Sequence, residues 1–263
     1  MLGAVISSMA RRYVPGVRVY YYRGMWVHQE RETIFVDSPT LDYHPSDFRV
    51  WLNELDRWLA TAAEHWMHFY TPKPGDVVLD VGAGKGEDTI AFSRAVKAEG
   101  RVIAIEAHPV TFRCLHSFCE FNHLSNVEPL SFAVAGREGT AAIESANDWQ
   151  VNRIFEAASQ GSVRVSCSTL DQLVQREGLR RIDFLKMNIE GAECQAMAGM
   201  KEALRITRAL CISCHDFRAD QGHGEFFRTK KTVQEAVAGA GFRILSRAED
   251  GRRYISDQVN GIR

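Results

Sequence analysis

The sequence predicts an α/β fold: a doubly wound parallel sheet, closed by a C-terminal antiparallel hairpin and preceded by an N-terminal hairpin-plus-helix extension. Three observations carry this. The runs Val77–Val81, Arg101–Glu106, Ile182–Met187 and Arg208–Ser213 have the near-continuous hydrophobicity of strands buried on both faces. Helical stretches alternate with them, which gives a parallel sheet with helices on both sides. The first run breaks into Gly82, Gly84 and Gly86 before a helix, and glycines at such a turn let backbone N–H groups approach a ligand.

In chain order, Met1 to Arg12 carries its positive charge after its apolar part, the reverse of a secretory leader. It reads as a short amphipathic arm open to membrane or partner contact. Val17–Tyr22 and Met25–Val36, around Arg23-Gly24, predict a β-hairpin. Pro39 and Pro45 punctuate a loop, and Ser46 is placed to cap the next helix. From Asp47 to Phe69, residues such as Phe48, Trp51, Leu55, Trp58, Ala62 and Trp66 keep the three-and-four spacing of one helix with a broad apolar face. Thr71-Pro-Lys-Pro-Gly75 ends this module. Residues 1–71 are therefore read as an extension (a lid, an oligomer contact or plain packed core) and 72–263 as the main domain.

The first main helix runs from Glu87 to Val96 and ends near Glu99-Gly100, with Gly100 as its C-cap. A second helix spans Val110 to about Asn122, and Val127–Val134 is the third strand. Gly139–Glu144 and Val163–Ser168 are extended pieces flanking a polar, mobile segment, Asn147–Gly161, and Thr169–Arg176 is a short helix. The fourth strand, Ile182–Met187, runs into Asn188-Ile-Glu-Gly-Ala-Glu193 and a helix to about Leu204. The fifth, Arg208–Ser213, runs into Cys214-His-Asp216. A polar loop, Arg218–Phe227, precedes the helix Lys230–Ala240, and Phe242–Arg247 with Tyr254–Val259 closes the chain as a hairpin.

The 263 residues suit one large domain with an appended segment, and 45% hydrophobic with 25% charged residues is the composition of an ordinary soluble globule. A net charge of −1 argues against a nucleic-acid partner held by phosphate contacts. Arg228, Lys230 and Lys231 read as a solvated helix end. No apolar run approaches a membrane span. Cys114, Cys119, Cys167, Cys194, Cys211 and Cys214 form no disulfide framework. Cys211 and Cys214 lie three apart on a strand and so face opposite ways, which rules out a shared metal. Free thiols in a reducing, cytoplasmic setting are the consequence.

Ligands of such sheets bind outside the carboxyl ends of the strands, where strand order switches. Asp80 ends the first strand with an acceptor aimed at that crevice. Glu106, about 20 residues past the turn, stands where a carboxylate grips two ribose hydroxyls. Gly82-x-Gly84-x-Gly86 brings the third glycine one residue early for a dinucleotide fingerprint, and no Tyr-x-x-x-Lys pair accompanies it. An NAD-dependent dehydrogenase is disfavoured on both counts. Asp80, the glycines and Glu106 together resemble the S-adenosylmethionine site of class I methyltransferases.

Four motifs extend the likeness: Asp80-Val-Gly-Ala-Gly-Lys-Gly-Glu-Asp-Thr89, Ile105-Glu-Ala-His-Pro109, Ser168-Thr-Leu-Asp171 and Leu185-Lys-Met-Asn-Ile-Glu-Gly-Ala-Glu193. From about Asp76 to Ile244 the chain resembles the FkbM family of methyltransferases. The resemblance implies a class I, Rossmann-like fold, S-adenosylmethionine as donor, and a hydroxyl on a sugar or natural-product intermediate as acceptor. Asp80 and the backbone of Gly82, Ala83, Gly84 and Gly86 would hold the methionine end, Glu106 the ribose with Ala107 and His108 beside it, and Phe132 and Ala133 the adenine. Asp88 and Thr89 would bond the methionine carboxylate or amine, or cap the helix. Asn188 stands where the family has Asp; it can position cofactor or substrate but cannot act as a base.

Methyl transfer requires an acceptor oxygen held near the methyl carbon and relieved of its proton. Glu190, His215 and Asp216 come after neighbouring strands and admit three readings. His215 is a general base oriented by Asp216 or Glu190; Glu190, His215 and Asp216 hold a divalent metal such as Mg²⁺ that binds the acceptor; or His215 and Asp216 merely bond within loops. His223 sits in a loop that could close over the substrate. The aromatic residues Tyr20 to Tyr22, Trp26, Trp51, Trp58 and Trp66 line an acceptor pocket or a homodimer contact. A non-catalytic cofactor-binding scaffold is the remaining alternative.

Overall fold

The structure, a computed structural model, describes residues 2–40, 43, 47–144, 154–155 and 162–263. The extension comprises α1 (Leu2–Ala10), a three-stranded antiparallel meander of β1 (Arg18–Tyr22), β2 (Met25–Glu30) and β3 (Thr33–Ser38), then α2 (Asp47–Val50) and α3 (Glu54–His65). The expected hairpin thus gains a strand, because Arg31 at φ 55° turns the chain inside Met25–Val36. The expected single helix over Asp47–Phe69 is broken. Asn53 takes a left-handed conformation, and the N–H groups of Asn53 and Glu54 donate to the Glu30 carboxylate at 2.8 and 3.2 Å. Pro45, Ser46 and the Asn147–Gly161 segment, apart from Ile154 and Phe155, lie outside the described residues.

The main domain continues with β4 (Val77–Val81), α4 (Thr89–Val96), β5 (Arg101–Ile105), α5 (Pro109–Phe121), β6 (Val127–Leu130), β7 (Ala133–Val134), β8 (Gly139–Glu144), β9 (Ile154–Phe155), β10 (Ser162–Ser168) and α6 (Leu170–Arg176). Next come β11 (Ile182–Met187), α7 (Glu193–Met197), α8 (Lys201–Arg205), β12 (Thr207–Ile212), α9 (Asp216–Asp220), α10 (Lys230–Gly239), β13 (Arg243–Leu245), α11 (Arg253–Ser256) and β14 (Val259–Ile262). The main sheet is seven-stranded in the order β13-β14-β12-β11-β4-β5-β6, parallel except at β14, which runs antiparallel to β12 and β13. Sequence neighbours proceed outward from β4 one way and from β11 the other, so the switch in strand order lies between β4 and β11.

Several boundaries differ from expectation. Helix α4 ends at Val96 with Lys97 as its cap; Gly100 is instead a close approach, since a Cβ there would lie 2.4 Å from Val96 Cβ and 2.7 Å from the Asp76 carbonyl. The third strand divides: β6 stays in the main sheet, whereas β7 pairs with β10 in a second, four-stranded sheet of order β7-β10-β8-β9. The helix expected to reach Leu204 breaks at Met200, and the polar loop begins as α9. The C-terminal antiparallel pair exists, but Tyr254 is helical and the closing strand starts at Val259. Arg247 and Arg252 both reach Glu64 on α3 and Asp250, and these ion pairs hold the intervening loop against the extension.

All six residues of β11 are buried. One sheet face carries Leu79, Val81, Leu185, Met187, Leu210, Ile212 and Cys214; the other packs Val78, Phe92, Phe184, Ala209 and Cys211 against Trp66, Met67 and Tyr70. Cys211 and Cys214 therefore face opposite ways, and all six cysteines are free. The meander is bound to the main domain by Met25, Val27, Phe35 and Val36, which share a core with Ile90, Cys114, Phe118 and Phe121. At about 1.5–3 kcal/mol for each large apolar side chain removed from water, such a core holds the extension firmly. Among the described residues no helix is long and apolar enough to cross a membrane.

Candidate active site

A cavity of about 580 Å³ opens at the carboxyl ends of β4, β5, β11 and β12, over the switch point. Its floor is the turn after β4. Gly82 has φ 76°, and a Cβ there would lie 1.9 Å from the Asn188 carbonyl oxygen, so only glycine lets this turn touch the turn after β11. Glu106 projects from the end of β5. Its carboxylate accepts from Gly84 N at 3.0 Å and His108 N at 2.8 Å, which fixes both oxygens while leaving lone pairs toward the cavity. Burial pushes this carboxyl up to about 7, against the pull of the two backbone donors. Glu87, on the same wall, is likewise raised to about 7 by burial.

Asp80 has a different place from the one expected. Fully buried behind the turn, it lies 2.9 Å from Lys186 Nζ and accepts from Thr89 Oγ1 at 2.6 Å. Lys186 also donates to the Gly82 carbonyl at 2.8 Å, stands 3.5 Å from Asp88, and lies 5.0 Å from the Trp66 ring centre. Burial opposes its charge, but Asp80 and Asp88 outweigh that and raise its pKa. The Asp80–Lys186–Thr89 group thus braces the glycine turn from below.

At the other end of the cavity, His215 is clamped between two carboxylates. Its Nε2 lies 3.3 Å from Glu190 Oε1 and its Nδ1 3.2 Å from Glu193 Oε1. Burial alone would lower its pKa, yet Glu190 and Glu193 raise it to about 10, so the ring is an imidazolium at neutral pH. The Arg218 guanidinium stands 3.3 Å from Glu190 Oε2. Glu190 itself has φ 53°, a conformation costing of order 1–3 kcal/mol for a non-glycine residue. Its position between two cations and its strained backbone make it a candidate site residue.

Of the residues expected at the site, Gly82, Ala83, Gly84, Asp88, Glu106, Ala107, His108, Phe132, Asn188, Glu190 and His215 line the cavity. Asp80, Gly86, Thr89, Ala133 and Asp216 do not. Asp216 turns to the start of α10, accepting from Thr229 N at 2.8 Å and Lys230 N at 2.9 Å. The structure therefore does not bring Glu190, His215 and Asp216 together, and among the described residues no three His, Cys, Asp or Glu side chains are arranged to hold a metal. With both imidazole nitrogens already facing carboxylates, these residues do not fit a metal site. His223 is exposed on its loop. Among the described residues, five buried atoms of lining residues make no hydrogen bond: His108 Nε2, Asn188 Oδ1, Gln258 Oε1, and His215 Nδ1 and Glu190 Oε2, the last two having only their ion-pair contacts with Glu193 and Arg218.

Of the aromatic residues expected along a pocket or a homodimer contact, Trp58 and Trp66 line the cavity and Tyr20 to Tyr22, Trp26 and Trp51 do not; sequence reasoning missed Glu193, Arg218, Lys186, Thr61 and His65. Lys186 carried a signal: a cation inside an apolar strand has to be paired. Glu193 carried none, because its link to His215 joins two different strand ends.

The chain is similar to known methyltransferases. The 2-O-methyltransferase NoeI of Sinorhizobium fredii is 25% identical over 168 residues, covering 57% of this chain and 68% of NoeI. The hexuronic acid methyltransferase AglP of Haloferax volcanii is 24% identical over 140 residues, covering 53% of this chain and 56% of AglP. Among solved structures, the methyltransferase FkbM from Methylobacillus flagellatus KT superposes with a TM-score of 0.49 at 14% identity, over 84% of this chain and 62% of that one. The methyltransferase FkbM domain itself matches residues 80–244, from Asp80 through the Glu190–Glu193 turn to the start of β13. That match spans more than half of the chain, and by it the protein belongs to the FkbM methyltransferase family.

Proposed function

We propose that the protein transfers a methyl group from S-adenosylmethionine to a hydroxyl of a sugar or natural-product intermediate. The observation that carries this is the Glu106 carboxylate, held by two backbone N–H groups beside the Gly82–Gly84 turn with acceptor capacity left over for vicinal hydroxyls. The names of NoeI and AglP support an oxygen acceptor on a sugar. When bound, S-adenosylmethionine supplies a methyl group on a sulfonium. The chain holds it: Glu106 takes the ribose, Phe132 and His108 flank the base, and Gly82 to Gly84 with Asp88 receive the amino-acid end. Asn188 Oδ1, buried and unpartnered, accepts from cofactor or acceptor.

Glu190, rather than His215, takes the acceptor proton in this reading, because an imidazolium has no free nitrogen to receive it. His215 and Arg218 orient Glu190, and Glu193 keeps His215 charged. Residues 1–71 are proposed to complete the cavity through Trp58, His65 and Trp66. Incubation with labelled donor and candidate sugars tests the reading. Transfer to a hydroxyl is expected, with Glu190→Gln lowering kcat by about 10²–10⁴ while cofactor affinity holds. Undiminished transfer by Glu190→Gln removes its role, and no transfer to any hydroxyl leaves a scaffold.

A further inference from the structure

The face of α1 that turns away from the protein takes no part in the cavity or the core. Its inner side is pinned: Ser7 Oγ donates to the Gly3 carbonyl at 2.7 Å and accepts from Val19 N at 2.7 Å. A Cβ on Gly3 would lie 2.6 Å from the Val19 carbonyl oxygen, so helix and strand are in close contact. Ile6 and Ala10 are buried with Phe48 and Trp51. This packing fixes the rotation of the helix and forces Leu2, Val5 and Met9 outward, at 51, 54 and 44% exposure. Three apolar side chains one turn apart thus face solvent because the packing turns them there, not by fraying. Tyr13, Tyr21 and Tyr22 are also exposed in the same module.

Charge tells what such a face suits. Residues 1–29 contain Arg11, Arg12, Arg18 and Arg23 and no Asp or Glu, within a chain of net charge −1, and of these four Arg23 pairs with Glu120. Arg11, Arg12 and Arg18 are exposed, and the Arg49 guanidinium lies 5.4 Å from the Tyr13 ring centre. An apolar stripe that runs directly into the exposed Arg11 and Arg12 matches the boundary between anionic headgroups and acyl chains. A second copy of the chain fits less well, because a two-fold contact through this face sets each arginine rim near its own image. We propose that α1 docks the protein on an anionic lipid surface.

The test is co-sedimentation of the full chain with vesicles of phosphatidylcholine, with and without phosphatidylglycerol. Binding is expected only with phosphatidylglycerol and is expected to be lost at high salt. Val5→Asp with Met9→Asp should abolish it, and Arg12→Glu should weaken it by about fivefold or more, since one basic residue near such a surface counts for about that factor. S-adenosylhomocysteine affinity and thermal melting, measured on the same variants, show that the fold is intact. Equal sedimentation of wild type and variants overturns the proposal, as does absence of binding to either vesicle. A dimer in light scattering that Val5→Asp with Met9→Asp dissolves makes a second copy the occupant and overturns it too.

Discussion

Lys186 and His215 show how single residues set this site. Lys186 is a cation in a strand whose six residues are all buried, tolerated because Asp80 lies 2.9 Å away, with Asp88 at 3.5 Å and the Gly82 carbonyl as further partners. Replacing it with Met leaves Asp80 buried and unpaired, and unfolding in urea should show a loss of about 3–5 kcal/mol. His215 depends on its neighbours in the opposite sense. Its pKa is raised from 6.5 to about 10, so the stability contributed by the clamp is complete below pH 6.5 and lost as pH rises through about 10. Glu193→Gln should lower the imidazole pKa in an NMR titration and shrink that alkaline loss; an unmoved pKa contradicts the positioning role of Glu193. Glu106 was legible from its distance beyond the glycine turn. Asp80 was legible as an acid at a strand end but not in its role, since Lys186 takes the carboxylate that sequence spacing alone aims at the ligand.

Among the elements, the parallel strands were readable because burial on both faces leaves an unbroken apolar run, and their parallel sense came from the alternation with helices. Breaks were not readable where a non-glycine residue turns the chain. Arg31 at φ 55° and Asn53 at φ 53° carry no glycine signal, and the Glu30 carboxylate that captures the N–H groups of Asn53 and Glu54 lies far back in sequence. The split of the third strand depends on β10, which recruits β7 from well downstream in the chain. Local signals did hold at α6, where Thr169 and Gln172 form a reciprocal capping box. Thr169→Ala should therefore cost about 1 kcal/mol in denaturant unfolding, and no change would show the box to be dispensable. In the extension, His28 is buried with Nδ1 2.8 Å from Asp37 and Nε2 3.0 Å from Glu54, joining β2, β3 and α3. Burial opposes its charge and the two carboxylates raise it to about 9, so its contribution is present below pH 6.5 and fades as pH passes about 9.

At the scale of the whole molecule, the extension and the main domain share a core through Phe35 and Phe118, and α3 supplies a wall of the cavity. Trp26, Trp51, Trp58 and Trp66 all lie within residues 1–71, so tryptophan fluorescence reports chiefly on the extension while far-ultraviolet dichroism reports on all elements. Coincident unfolding transitions by the two probes are expected, and an earlier fluorescence transition would mean the extension melts alone. The proposed function turns on a nucleoside held over the glycine turn by Glu106. Calorimetric titration of S-adenosylhomocysteine into wild type and Glu106→Gln tests it, and the paired variant separates Glu106 from Glu87, which is also raised to about 7. Ribose hydroxyls favour the ionised carboxylate, so wild-type affinity should climb as pH rises through about 7 and then level off. Glu106→Gln should bind roughly tenfold to a hundredfold more weakly, with that part of the pH dependence gone. Equal affinity and an identical pH profile in the two proteins would contradict a ribose held by Glu106.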